Sequence, residues 1–227
     1  MQYDEWINAI FTWNTSDTEW DEERNDQFFS LSSGNVLDLI AATFTMAGKD
    51  LRPFSDEQIA LGLNSITNET EELLYKIYDV GAKTSQRLAV INGVYLLYRD
   101  CLALRCGNEP EAEAENPLDI YAYMFWDASA LSIYGVLASN VEDKEALVDV
   151  ILDVLENTLN IPNAMCQRAA IHGLGHSIFN VRTYSEGQSR TDWLQRIYEI
   201  IDGYCALSTT HTSLKKYARQ ARTGMVN

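Results

Sequence analysis

The chain has 227 residues, 46% of them hydrophobic, and its 17 basic and 33 acidic residues leave a net charge of −16. That length and apolar content can fill a continuous core, which excludes wholesale disorder, while the charge repels nucleic-acid phosphates and anionic lipid. No apolar run reaches the roughly 18 residues of a membrane span, and the start, MQYDEWINAIFTW, lacks the basic flank and cleavage site of a signal peptide; a cytoplasmic protein with no nucleic-acid or membrane partner is expected.

Apolar residues recur at helical spacing throughout, and no run of alternating β-branched residues lies between hairpin turns, so the chain reads as all-α. Helices are predicted near 3–13, 18–31, 35–47, 55–67, 69–80, 84–106, 117–138, 142–158, 162–181, 190–206 and 212–222. Gly48 is placed as a C-cap after NVLDLIAATFTMA. SDEQ, Ser55 to Gln58, has capping-box spacing. Leu88, Ile91, Val94, Tyr95 and Tyr98, and then Tyr123, Phe125, Trp126, Ile133 and Tyr134, read chiefly as core, with a groove wall as the alternative. The segment GNEPEAEAENP, 107–117, reads as an exposed acidic loop. Pro162 suits the first turn of the helix that follows it. The four cysteines, Cys101, Cys106, Cys166 and Cys205, lack paired CxxC spacing and read as reduced thiols in apolar helices.

A shift of 47 residues aligns Leu147, Val150, Ile151 and Val154 with Leu194, Ile197, Tyr198 and Ile201, at the upper end of the HEAT and armadillo period. Each matched helix is followed by another, which gives antiparallel pairs that can stack. The expectation is one α-helical domain over 1–227: an atypical half over 1–110, the acidic loop, and more repeat-like pairs over 118–227. AAIHGLGH resembles the inner helix of HEAT-like bacterial proteins, and SDEQIALGLNSI and YAYMFWD are similar to segments of uncharacterised proteins of that kind. The resemblance implies a short, irregular HEAT-like solenoid and carries no activity with it.

Three features bear on function. In AMCQRAAIHGLGHSIFN, 164–180, Cys166, Ala169, Ala170, Gly173 and Ser177 form a stripe of small residues suited to close helix packing. Gly173 otherwise costs about 1 kcal/mol relative to alanine in a helix interior. His172 and His176 lie beside it at i and i+4. That pair can supply two nitrogens to zinc, yet it lacks the glutamate of HExxH; the readings are histidines bonded at a helix interface, residues lining a recognition groove, or a metal or catalytic site.

Next, Glu142, Glu145, Asp149, Asp153 and Glu156 occupy one face of the helix at 142–158, opposite Leu147, Val150, Ile151 and Val154. Like charges at this spacing cost roughly 0.2–0.5 kcal/mol per pair, and only Lys144 is close in sequence to relieve them. The ridge is either a solubility device or a docking surface for a basic partner; the DxDxDG geometry of a calcium loop is missing. Tyr123 and Trp126 are the aromatic candidates for the same partner. Finally, Lys215, Lys216, Arg219 and Arg222 share a face of the last helix, which allows head-to-tail association with the ridge of a second copy.

No phosphate loop, nucleophile elbow or cysteine–histidine signature occurs. The leading expectation is a non-enzymatic interaction protein, without cofactor, that binds a basic protein or peptide, with toxin neutralisation as one concrete form. The alternatives are a metal-dependent enzyme centred on His172 and His176, completed by Cys166, Cys205, His211 or a distant carboxylate, and a self-associating structural protein.

Overall fold

The computed structural model describes residues 1–12, 28, 30–67, 73–109, 116–208 and 210–226. Among them, ten α-helices follow one another: α1 (Tyr3–Phe11), α2 (Ser33–Asp50), α3 (Asp56–Thr67), α4 (Thr84–Leu97), α5 (Pro117–Ala128), α6 (Ile133–Ala138), α7 (Lys144–Leu159), α8 (Ala164–Tyr184), α9 (Gly187–Ala206) and α10 (Thr212–Ala221). A 3₁₀ turn at Leu74–Tyr78 precedes α4, which runs on through a π turn at Tyr98–Leu102 and a last α turn at Ala103–Arg105. The all-α expectation holds. The helix predicted over 18–31 falls almost wholly outside the described residues, as do 69–72 and the middle of the acidic loop, 110–115.

The helices alternate between two layers. In one, α1 packs on α3, α3 on α5, α5 on α8, and α8 on α10; in the other, α2 packs on α4, α4 on α7, and α7 on α9. Register pairs show that neighbours within a layer run parallel: Asp38 meets Gln86 and Gly48 meets Asp100 across α2–α4. Glu145 meets Ser189 and Asp149 meets Trp193 across α7–α9. The chain therefore passes back and forth between layers, and the 47-residue offset joins two helices that lie side by side. Between the layers sits an apolar core from Trp6 and Phe11 at one end to Ile197 and Ala221 at the other.

Local chemistry sets the helix ends. Ser55 and Gln58 form the expected capping box: the Gln58 N–H donates to Ser55 Oγ at 3.2 Å, and the Ser55 N–H donates to Gln58 Oε1 at 3.0 Å. Gly48 is not a C-cap. The helix continues to Asp50, and a Cβ at Gly48 would stand 2.6 Å from the Asp100 carbonyl oxygen, so glycine is required by the close approach of the π turn. Pro162 lies outside α8, because Asn163 takes the N-cap, accepting from the Cys166 N–H at 3.0 Å. The single helix expected over 117–138 is broken at 129–132. Ser132 caps α6 through the Gly135 N–H, and the Ala130 carbonyl, released from helical bonding, accepts from the Tyr78 hydroxyl.

One buried polar junction has no counterpart in the sequence reading. Arg87 on α4 is buried, with Nε donating to the Ile77 carbonyl at 2.7 Å and Nη2 to the Asp79 carbonyl at 3.0 Å. Its Nη1 reaches both carboxylate oxygens of Asp143 at 3.2 Å. One guanidinium thus fastens the 3₁₀ turn, α4 and the start of α7.

Candidate functional site

The small-residue stripe positions the histidines. Cys166, Ala169, Ala170, Gly173 and Ser177 are all buried, and a Cβ at Gly173 would lie 2.8 Å from Trp126 Cγ and 2.8 Å from Leu155 Cδ2. The missing side chain lets α5 press against α8 while α7 approaches from the other layer. With Trp126 fixed against Gly173, its neighbours on α5 come level with the histidines: the Tyr123 ring centroid is 4.2 Å from that of His172, and Asp127 Oδ1 is 3.7 Å from His176 Nδ1.

Helix α10 closes the arrangement. His172 Nδ1 is 2.9 Å from the Tyr217 hydroxyl, which is 3.0 Å from the Tyr123 hydroxyl. The remaining ring nitrogen of His172, Nε2, faces His176 Nε2 at 3.2 Å. His172 is only 3% exposed. Burial, aided by the His176 ring, pulls its pKa down to about 4 against a weaker opposing pull from Asp127, so the imidazole is neutral at pH 7. Tyr217 is pushed well above its ordinary value by burial and by its bond to Tyr123, and stays protonated. Arg168, one turn before His172, lies 5.0 Å over the Tyr123 ring.

Asp127, His172 and His176 each offer a donor atom within 4.8 Å of the other two. Among the described residues, the other groups named from the sequence do not join them. The Cys166 thiol is buried against the Tyr98 carbonyl, Cys205 Sγ lies 3.9 Å from the Lys215 carbonyl, and His211 caps α10 by accepting from the Ser213 N–H at 3.3 Å. Asp127 and Tyr217 were missed because they come from other helices. One signal could have found the carboxylate: Tyr123 and Asp127 share the i, i+4 spacing of His172 and His176, so two parallel helices can match them pair to pair.

The acidic ridge lies in the opposite layer, and α9 answers part of it. Arg196 bonds Asp153, stands 3.8 Å from Asp149 and 3.9 Å from Glu156, and donates to the Asp149 carbonyl at 3.1 Å. Trp193 Nε1 donates to Asp149 Oδ1 at 3.0 Å, and the Ser189 hydroxyl donates to Glu145 at 2.7 Å. Relief of the like-charge repulsion thus comes from Arg196 across the layer, whereas Lys144, the nearby base, donates to the Leu137 carbonyl at 2.9 Å. The three carboxylates facing Arg196 remain about half exposed, at 52–55%, so each contact contributes a few tenths of a kcal/mol.

Trp126 and Tyr123 sit apart from the ridge. Trp126 is buried in the core, and its Nε1 makes no hydrogen bond among the described residues; Tyr123 belongs to the histidine cluster. On α10, Arg222 is engaged within the chain, bonding both Asp202 oxygens at 2.7 and 2.9 Å and covering the Tyr198 ring. Comparison with protein-family models, with curated proteins and with solved structures returned no match.

Proposed function

We propose that the protein is a non-enzymatic helical interaction protein, a short HEAT-like array whose acidic α7–α9 face takes a basic protein or peptide. Two parallel layers joined by a back-and-forth chain support the array, since such stacks present extended surfaces without reactive groups. The carrying observation is an imbalance on one face. Arg196 is shared by Asp149, Asp153 and Glu156, while Glu145 on the same face, and Glu142, which lies not on the helix as expected but in the turn just before α7, stand outside its contacts. The backbone beneath is held by buried Leu147, Ile151 and Ile197, so the charge is presented in place rather than ordered on binding. Neutralisation of a basic toxin is one form of this reading. Cytoplasmic placement belongs to it as well, supported by four free cysteines; among the described residues no helix is long and apolar enough to cross a membrane.

The test uses Glu142→Gln with Glu145→Gln, which leaves every contact of Arg196 intact. Helix content and thermal midpoint should match the parent. Association with a lysine- and arginine-rich probe peptide should slow several-fold at about 0.05 M salt, and the difference should vanish near 0.5 M, where the Debye length falls to about 4 Å. Equal association rates at low salt would reduce the ridge to a solubility device. Neutralising Asp149 and Asp153 instead would confound the result, because it strips partners from Arg196 and Trp193 and lowers stability.

A further inference from the structure

The histidine cluster lies in the other layer from the acidic face, and its donor geometry goes beyond helix packing. Two ligands held at 2.0–2.1 Å around a tetrahedral ion are separated by about 3.3–3.4 Å. The facing Nε2 atoms of His172 and His176 are 3.2 Å apart, so the rings already stand at the spacing that a shared ion imposes. Without an ion, these two nitrogens hold one proton between them, one donating and the other accepting. With an ion, both lone pairs point at it and each ring carries its proton on Nδ1.

The surroundings suit that second state. His172 Nδ1–H then donates to the Tyr217 oxygen at 2.9 Å, and the Tyr217 hydroxyl donates onward to Tyr123 at 3.0 Å. Outer partners of this kind fix the tautomer and orientation of a ligating histidine. The ring is neutral by burial, which is the form that binds metal. His176 Nδ1–H faces Asp127 at 3.7 Å, too far for a hydrogen bond. The Asp127 carboxylate is 41% exposed and has an oxygen within 4.8 Å of a donor nitrogen on each histidine.

We propose that His172, His176 and Asp127 bind a single zinc ion, with Tyr217 as the positioning residue that sets the His172 tautomer. Two imidazoles and a carboxylate are a borderline donor set that suits zinc. Three protein ligands leave the fourth position to water, on the side where Asp127 and His176 meet solvent.

The experiment is calorimetric titration of tag-free, chelator-treated full-length protein with zinc, together with visible absorption on cobalt substitution. One equivalent should bind with an affinity of about 1 μM or tighter. Cobalt should give the d–d bands of a four-coordinate nitrogen–oxygen site, without thiolate charge-transfer absorption. His176→Gln and Asp127→Asn alter partly exposed side chains, and circular dichroism checks that both fold; each should weaken zinc by at least about 100-fold. Tyr217→Phe keeps the ring packing and should weaken it by about 10-fold. The Glu142, Glu145 double glutamine variant should bind zinc as the parent does, so the proposal stands or falls separately from the acidic face. The proposal is overturned by absence of zinc binding to folded parent at about 0.1 mM, by unchanged affinity in His176→Gln and Asp127→Asn, or by thiolate bands that place the ion on cysteine.

Discussion

Replacing Gly173 by leucine is expected to destabilise the protein by about 3 kcal/mol, the top of the usual range for overpacking. A β-carbon alone would stand 2.8 Å from Leu155 Cδ2 and 2.8 and 2.9 Å from Trp126 Cγ and Cβ; the leucine tip can turn aside, but the first atoms of the tryptophan side chain cannot give way without moving α5. Alanine is the informative control. It recovers about 1 kcal/mol of helix propensity against the same clash, so a small net loss is expected. For a chain of this size the leucine variant should lose about 6–12 °C in thermal midpoint. Leucine should also push Trp126, and with it Asp127, away from α8, separating the carboxylate from the histidines. An unchanged midpoint in a scanning calorimeter would mean that α5 and α8 do not meet at Gly173.

Removing Arg87 should cost about as much. Arg87→Met keeps the apolar stem but takes the guanidinium from Asp143, which keeps its bond from Thr84, and leaves the carbonyls of Ile77 and Asp79 without their donor. Breaking a buried pair from one side costs about 3–5 kcal/mol. Asp143→Asn retains a hydrogen-bonding group and should cost less, with a distinctive dependence on pH. Burial alone would raise the Asp143 pKa, but hydrogen bonds from Thr84 and Arg87 outweigh it and hold the carboxyl below its ordinary value. A carboxylate with a lowered folded pKa contributes stability that is full above the unfolded value, about 3.9, and is lost as pH falls through the folded one. The gap between parent and Asp143→Asn in denaturant titrations should therefore be constant from pH 7 to about 5 and close below about 4. A gap that widens on acidification would show that the carboxyl is not held ionised by this junction.

What could be read from the sequence was local. The capping box at Ser55, the small stripe of α8 and the apolar seam of α7 depend on spacings within one helix, and each stands in the fold. Contacts between helices were not legible in that way. Asp127 lies 45 positions before His172, and Tyr217 lies 45 after it; no periodicity within one helix announces that they converge. Arg196 has no sequence feature that sets it apart, although its contacts decide how much of the acidic ridge is unpaired. Gly48 was misplaced for the same reason: its role is set by Asp100, on the next helix of its layer. The break at 129–132 was hidden by apolar residues on both sides, and the Ala130 carbonyl it frees is taken up by Tyr78, 52 positions earlier.

The two-layer order also bears on cooperativity. In a stack whose members meet only their neighbours, stability is nearly a sum of unit and interface contributions, and the ends open first. The last unit, α9 with α10, is bounded on one side only: buried Trp193, Ile197, Ile201 and Leu214 hold it to the core, with a small addition from Arg196 on α7. Amide hydrogens of α9 and α10 should accordingly exchange sooner than those of α7 and α8. Each such opening carries Tyr217 away from His172, so the histidine at the centre of α8 is sheltered by an end of the stack.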